Sequence, residues 1–209
     1  MLPFATGIAI VGLALLSLLT PPWTNAALAA SNATAAFASP ADALALSNRT
    51  VAELVLGPGS FDIRLADGMP AYSAAERAHM ADVRAVLMGY LAVAAIGLVL
   101  VVYAAAVHGR DQRTWRAIAR GGASVAALMV ALGVFALVAF ETGFELFHRL
   151  LFPGGNWAFD PAMSNLVTLY PLAFWQLSAA ALGGLTVATG VLTWLLATRR
   201  AGRLAAGEG

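Results

Sequence analysis

Long stretches without a single Asp, Glu, Lys or Arg constrain this chain more than any other feature. None of these residues occurs in positions 1–41, between Arg84 and Arg110, between Arg120 and Glu141, or between Asp160 and Arg199. Crossing the hydrocarbon of a bilayer takes ~20 apolar residues. Residues 4–19, 85–107, 123–140 and 170–197 reach or approach that length. In lipid every backbone N–H and C=O must be bonded within the protein, and a helix does this within one segment. Charged residues make up 11% of the chain, against ~25% in ordinary soluble domains. The expected fold is all-α and membrane-integral, a four-transmembrane-helix bundle with a small extracytoplasmic cap.

Arginines set the expected orientation. Arg110, Arg113, Arg116 and Arg120 join the second and third runs, and Arg199, Arg200 and Arg203 follow the fourth. Short basic segments stay on the cytoplasmic side, which places both termini inside. The expected order is a first span at 4–20, a cap at 21–73, a second span at 74–108 and a cytoplasmic loop at 109–120. A third span at 121–152, an extracytoplasmic loop at 153–168, a fourth span at 169–198 and a tail at 199–209 complete it. No Lys or Arg precedes the first run, and Pro21-Pro22 breaks it, so it reads as a retained span rather than a cleaved signal peptide.

Within the cap, residues 26–45 read as loop or loose helix. "NRTVAELVLG" reads as a short amphipathic helix stopped by Gly57-Pro58-Gly59. Gly89, Gly97, Gly133, Gly183, Gly184 and Gly190 suit close helix packing. The chain has no cysteine, which removes disulfides, thiolate chemistry and Cys-ligated metals. A net charge of +1 and no basic cluster interleaved with aromatics give no signal for nucleic acid.

Ser73 and Glu76 have capping-box spacing, so the second helix starts near Ala74, well before its apolar run. His79 precedes that run by ~9 Å of helix, and His148 lies ~12 Å beyond the end of the third run. The short Arg-rich turn makes these helices antiparallel, which brings both histidines to one headgroup level outside. Glu141, Glu145 and His148 fall within ~60° of one another on a helix wheel, and Glu141, at the hydrocarbon edge, is expected to point inward. Tyr90 continues the face of His79, while Glu76 and Asp82 flank it at i−3 and i+3. His108 reads as an ordinary helix-end cation, and Asp160 as a turn former in "FDPAMSN".

"ERAHMADV", "FELFHRLLF…NWAFDP" and "LYP" resemble the bacterial lipoprotein intramolecular transacylase family. The resemblance is specific over residues 73–84 and 144–171. Family members often carry an acid where this chain has Leu172 and an Asp where it has Ser164. The resemblance implies an acyltransferase of the plasma membrane, with its active site on the extracytoplasmic side. It would move the sn-2 acyl chain of an S-diacylglyceryl cysteine to the α-amine of the same cysteine. It implies His79 and His148 as the catalytic pair and a diacylated lipoprotein as substrate, with membrane lipids as surroundings. No cofactor is expected, because amide formation from an ester is downhill, and the chain is expected to be a monomer.

The residues suit that chemistry. The amine must lose a proton and the departing glyceryl oxygen must gain one, which two imidazoles can carry. Acylation of one histidine first is the alternative route. Glu76, Asp82 or Glu145 would orient a ring, as carboxylates do in triads; Asn156 or Trp157 would hold the headgroup or donate to an oxyanion. Readings of other classes are a haem- or metal-binding bundle and a non-enzymatic membrane scaffold. A Soret band would support the first, and indifference of function to loss of both histidines the second. A phospholipid hydrolase would release free fatty acid.

Overall fold

The computed structural model describes residues 1–207; the tail residue Glu208 lies outside them. The described chain is helical, with no strand and one isolated antiparallel bridge, Arg64 to Pro70. Seven α-helices follow in order: α1 Leu2–Leu18, α2 Pro21–Ala30, α3 Pro40–Val55, α4 Ala74–His108, α5 Gln112–Leu151, α6 Asn165–Leu169 and α7 Leu172–Ala205. A 3-10 turn, Ala33–Ala36, separates α2 from α3. Residues 26–45 are thus more ordered than their composition suggests. Ser39 makes the difference at α3: its hydroxyl accepts from the Asp42 N–H, and Pro40 occupies the first turn.

Helices α4, α5 and α7 hold 35, 40 and 34 residues and are long and apolar enough to cross a membrane. At 1.5 Å per residue each exceeds the ~30 Å hydrocarbon, so each carries turns outside it. Large apolar side chains cover their outer surfaces, as with Leu137 and Val138 at 85% and 86% exposure. The chain is a multi-pass membrane protein. Helix α1, at 17 residues, is shorter than these; with α2, bent away across the Pro21-Pro22 break, it forms a pair long and apolar enough for a fourth crossing. The Arg-rich segment, expected as a loop to residue 120, is helical from Gln112. Asp111 explains this, because its carboxylate accepts from the Arg113 N–H at 2.8 Å and caps α5. The tail likewise stays helical to Ala205.

The described residues form two compact units. The first gathers Met1–Leu16, Gly89–Val138 and the chain from Ala180 on. Its helices touch through backbone. A Cβ on Gly122 would lie 2.6 Å from the Gly190 carbonyl oxygen, and one on Gly97 would lie 2.9 Å from that of Ala5. Of the six glycines expected at such contacts, only Gly97 and Gly190 are there; Gly89, Gly133, Gly183 and Gly184 have open space. Gly12, Gly121 and Gly122 take the other close approaches. Gly122→Val is expected to lower stability by about 1–3 kcal/mol through overpacking, while Gly133→Val leaves it nearly unchanged. Thermal unfolding of the detergent-solubilised protein checks the pair.

The second unit comprises Ser17–Met88 and Ala139–Ala179. Helix α5 is kinked at its boundary, where Ala139 leaves helical geometry (φ −144°, ψ 37°). Leu28, Ala43, Leu46, Phe61, Tyr72, Leu169 and their neighbours make its apolar core. Two phenols finish inside it: Tyr170 Oη lies 3.1 Å from Ser47 Oγ, and Tyr72 Oη 2.6 Å from Thr50 Oγ1. The Thr50 hydroxyl already donates to the Leu46 carbonyl, so Tyr72 is the donor in its pair. Burial pushes the Tyr72 phenol well above its ordinary range, which keeps that proton in place. Arg84 closes the C-terminal end of α3, donating to the carbonyls of Glu53 at 3.2 Å and Gly57 at 2.8 Å.

Candidate functional site

The site begins at the start of α4. Ser73 and Glu76 form the capping box: the Ser73 N–H donates to Glu76 Oε2 at 2.7 Å, and the Glu76 N–H to Ser73 Oγ at 3.2 Å. Glu76 does more than cap. It is 3% exposed, and its Oε1 accepts from Ser164 Oγ at 2.6 Å and from the Leu166 N–H at 3.0 Å. Ser164 in turn caps α6, accepting from the Val167 N–H at 3.2 Å. Asn165 Nδ2 donates to the Ala71 carbonyl at 2.8 Å. These bonds fix one end of the segment after α5. Asn156 Nδ2, donating to Asp82 Oδ2 at 2.8 Å, ties its other end to α4.

His79 lies one turn after Glu76, three positions on, and is 6% exposed. Its ring packs edge-on against Phe152 at 5.0 Å and Phe159 at 5.8 Å. Its Nδ1 is buried and has no hydrogen-bond partner among the described residues. Such an orphan costs ~1–3 kcal/mol, and in a native fold it asks for an explanation.

His148, near the end of α5, has its ring centre 6.1 Å from that of His79. Its Nδ1 lies 2.8 Å from the Phe144 carbonyl oxygen. A carbonyl only accepts, so Nδ1 carries the proton and the neutral ring has its lone pair on Nε2. Phe144 at 4.2 Å, Trp157 at 5.1 Å and Phe152 at 5.8 Å surround this ring. The result is two imidazoles in an aromatic shell, an apolar setting for acyl chains with two groups that can carry protons. A cleft of about 310 Å³ opens beside it, lined by Asp82, Val86, Phe152, Gly154 and Asn156.

Several expected members lie elsewhere. Glu141 is exposed rather than inward-facing. Glu145 turns away and pairs with Arg149 at 2.6 Å, both side chains exposed, so it orients neither histidine. Both carboxylates are exposed, so solvation costs little and neither is driven inward to seek a buried partner. Tyr90 belongs to the first unit, where its hydroxyl donates to the Ile8 carbonyl at 3.2 Å. Asp160 shapes its turn by accepting from the Ala162 N–H at 2.9 Å. Unforeseen were the Phe144 carbonyl, Phe152, Phe159 and Ser164. Phe144 and Phe152 stand four residues either side of His148, a spacing that puts them on its face of a helix. Among the described residues no three His, Asp or Glu side chains gather to hold a metal ion.

Fold and site together define a helical membrane protein built around a paired-histidine centre. Residues 46–175, which contain both histidines, match the family described as "Lipoprotein intramolecular transacylase Lit". The chain belongs to the lipoprotein intramolecular transacylase family, a family of acyltransferases. Among solved structures, the membrane-integral lipoprotein intramolecular transacylase Lit from Bacillus cereus superposes with a TM-score of 0.82 at 18% identity. That match covers 98% of this chain and 94% of that one. A form of the same protein with one histidine replaced by arginine matches at 0.77 and 18% identity, covering 99% and 91%. An uncharacterized protein from Aquifex aeolicus (strain VF5) is 27% identical over 113 residues, 54% of this chain. The match spans 50% of that curated relative's length.

Proposed function

We propose that this chain transfers the sn-2 acyl chain of an S-diacylglyceryl cysteine to the α-amine of the same residue. The product is an N-acyl, S-monoacylglyceryl lipoprotein. The substrate is a diacylated bacterial lipoprotein in the outer leaflet of the plasma membrane. Four spans with both termini cytoplasmic, the first made by α1, present residues 21–73 and the histidine pair on the extracytoplasmic side. The protein acts as a monomer among membrane lipids, with no cofactor.

The observation that carries this reading is the histidine pair, 6.1 Å between ring centres with one tautomer fixed. The reaction forms the amide C–N bond and breaks the ester C–O bond. The amine gives up a proton to His148 Nε2, the free lone pair, and the departing glyceryl oxygen receives one from the histidine pair, so no net proton is consumed. His79 supplies the second proton-carrying ring. Attack closes an eight-membered ring through nitrogen, two cysteine carbons, sulfur, two glyceryl carbons, oxygen and the carbonyl carbon. Ring closure is entropically costly, so the aromatic shell matters chiefly by holding the substrate folded. Glu76 and the Asp82–Asn156 bond position the segment bearing Trp157 and Phe159.

A lipoprotein labelled only in its sn-2 chain tests the reading. Label is expected on the cysteine amine of the same molecule, with no added acyl donor, by mass spectrometry. Label released as free fatty acid, or found on a second unlabelled lipoprotein in a mixed reaction, would contradict it.

A further inference from the structure

We propose that a cleft between α5 and α7 in the first unit binds the phosphate of an anionic phospholipid. The cleft holds about 360 Å³ and is lined by Gln112, Arg116 and Arg120 of α5 and by Trp194, Thr198 and Gly202 of α7. Its origin is in the packing. Gly122 and Gly190 bring the two helices into backbone contact, and Ala119, Ala123 and Ala201 line the cleft beside and beyond that contact. Small residues there leave a gap that no side chain fills.

Arg116 and Arg120 are one turn apart, both exposed. Neither has an ion-pair or hydrogen-bond partner among the described residues. The shortage of acids is general in this unit. It holds seven of the chain's arginines, whereas among the described residues its one acid is Asp111. Asp111 is committed to capping α5. The second unit carries the opposite balance, with nine acids and five arginines. Two unpaired guanidiniums at a cleft are matched by a phosphate, which takes planar, bidentate N–H donors. The Thr198 hydroxyl supplies a further donor.

A lipid fits better than free phosphate because the cleft has an apolar side. Trp194, 44% exposed, lines it at the level where the apolar run of α7 gives way to arginines. Tryptophan at that level is typical of a membrane interface. Basic pockets between spanning helices hold acidic headgroups in this way, with the chains running into the bilayer. The inference stands apart from the acyl-transfer reading, since it uses none of the same residues.

The test is native mass spectrometry of the full chain equilibrated with equal amounts of phosphatidylglycerol and phosphatidylcholine. The parent is expected to retain phosphatidylglycerol at least ~10-fold more, and R116Q/R120Q to lose that preference by on the order of 10-fold. R199Q/R203Q, with the same charge change outside the cleft, keeps it within ~2-fold. Gly202→Leu fills the cleft without changing charge, at a position with open space around it, and is expected to lose the preference too. It keeps the test decisive if the arginine double variant does not fold. Equal retention of both lipids, equal loss in the control pair, or undiminished preference in Gly202→Leu would overturn the site. Inorganic phosphate binding as tightly as the lipid would overturn the assignment to a lipid.

Discussion

Replacing His148 by alanine is expected to slow acyl transfer by at least ~10²-fold, the low end for losing general acid–base catalysis. The Phe144 carbonyl holds its Nδ1–H at 2.8 Å, so the neutral ring can only present Nε2 as a base. Alanine removes that base and leaves a partly filled space, with little cost to folding because the ring is half-buried. His79→Ala is expected to cost a similar factor. His79 is deeply buried, so this variant also needs a melting temperature and a His79→Gln companion to separate lost chemistry from lost packing. Glutamine keeps volume and hydrogen bonding but cannot carry a proton at neutral pH. It is expected to fold like the parent and remain slow. Glu145→Gln is the control, since its exposed pair with Arg149 contributes at most ~1 kcal/mol. Full activity in His148→Ala, or a loss in Glu145→Gln equal to it, would remove the histidine pair from the mechanism.

What the sequence made legible was mostly local. Ser73 and Glu76 mark the start of α4 because a capping box is a contact between residues three apart, and the helix begins at Ala74 as that spacing requires. That His79 and His148 should meet followed from helix rise and an antiparallel turn, and their rings lie 6.1 Å apart. Side-chain direction was less legible. An ideal wheel groups Glu141, Glu145 and His148, but it cannot say that a nearby Arg149 and accessible water will hold the carboxylates outward. Which glycines meet a neighbouring backbone depends on the partner helix, and counting glycines could not separate Gly190 from Gly183. Least legible were the bonds of Glu76 to Ser164 and Leu166, which span 88 and 90 positions and have no periodicity to announce them.

Those long-range bonds make Glu76→Ala the substitution with the largest expected effect on stability. Its two oxygens accept from the Ser73 N–H, the Ser164 hydroxyl and the Leu166 N–H, the last two bonds buried. Hydrogen bonds to a charged group contribute ~1.5–3 kcal/mol each, and a donor left buried without an acceptor costs ~1–3 kcal/mol. The Ser164 hydroxyl can rotate to another acceptor, whereas the Leu166 N–H is fixed by the start of α6. A net loss of about 2–4 kcal/mol is therefore expected, seen as a lower melting temperature in detergent. Glu76→Gln is milder, because its amide oxygen can still accept from Ser164 and Leu166. Its NH₂ group would then face the Ser73 N–H, donor against donor, and give up that bond. The same geometry predicts where the damage appears. Hydrogen exchange should speed up first at the amides of Ser73, Leu166 and Val167, and the segment bearing Trp157 should loosen while the helices of the first unit stay protected. A melting temperature for Glu76→Ala equal to the parent's, or faster exchange spread evenly over both units, would show that this carboxylate does not hold the site together.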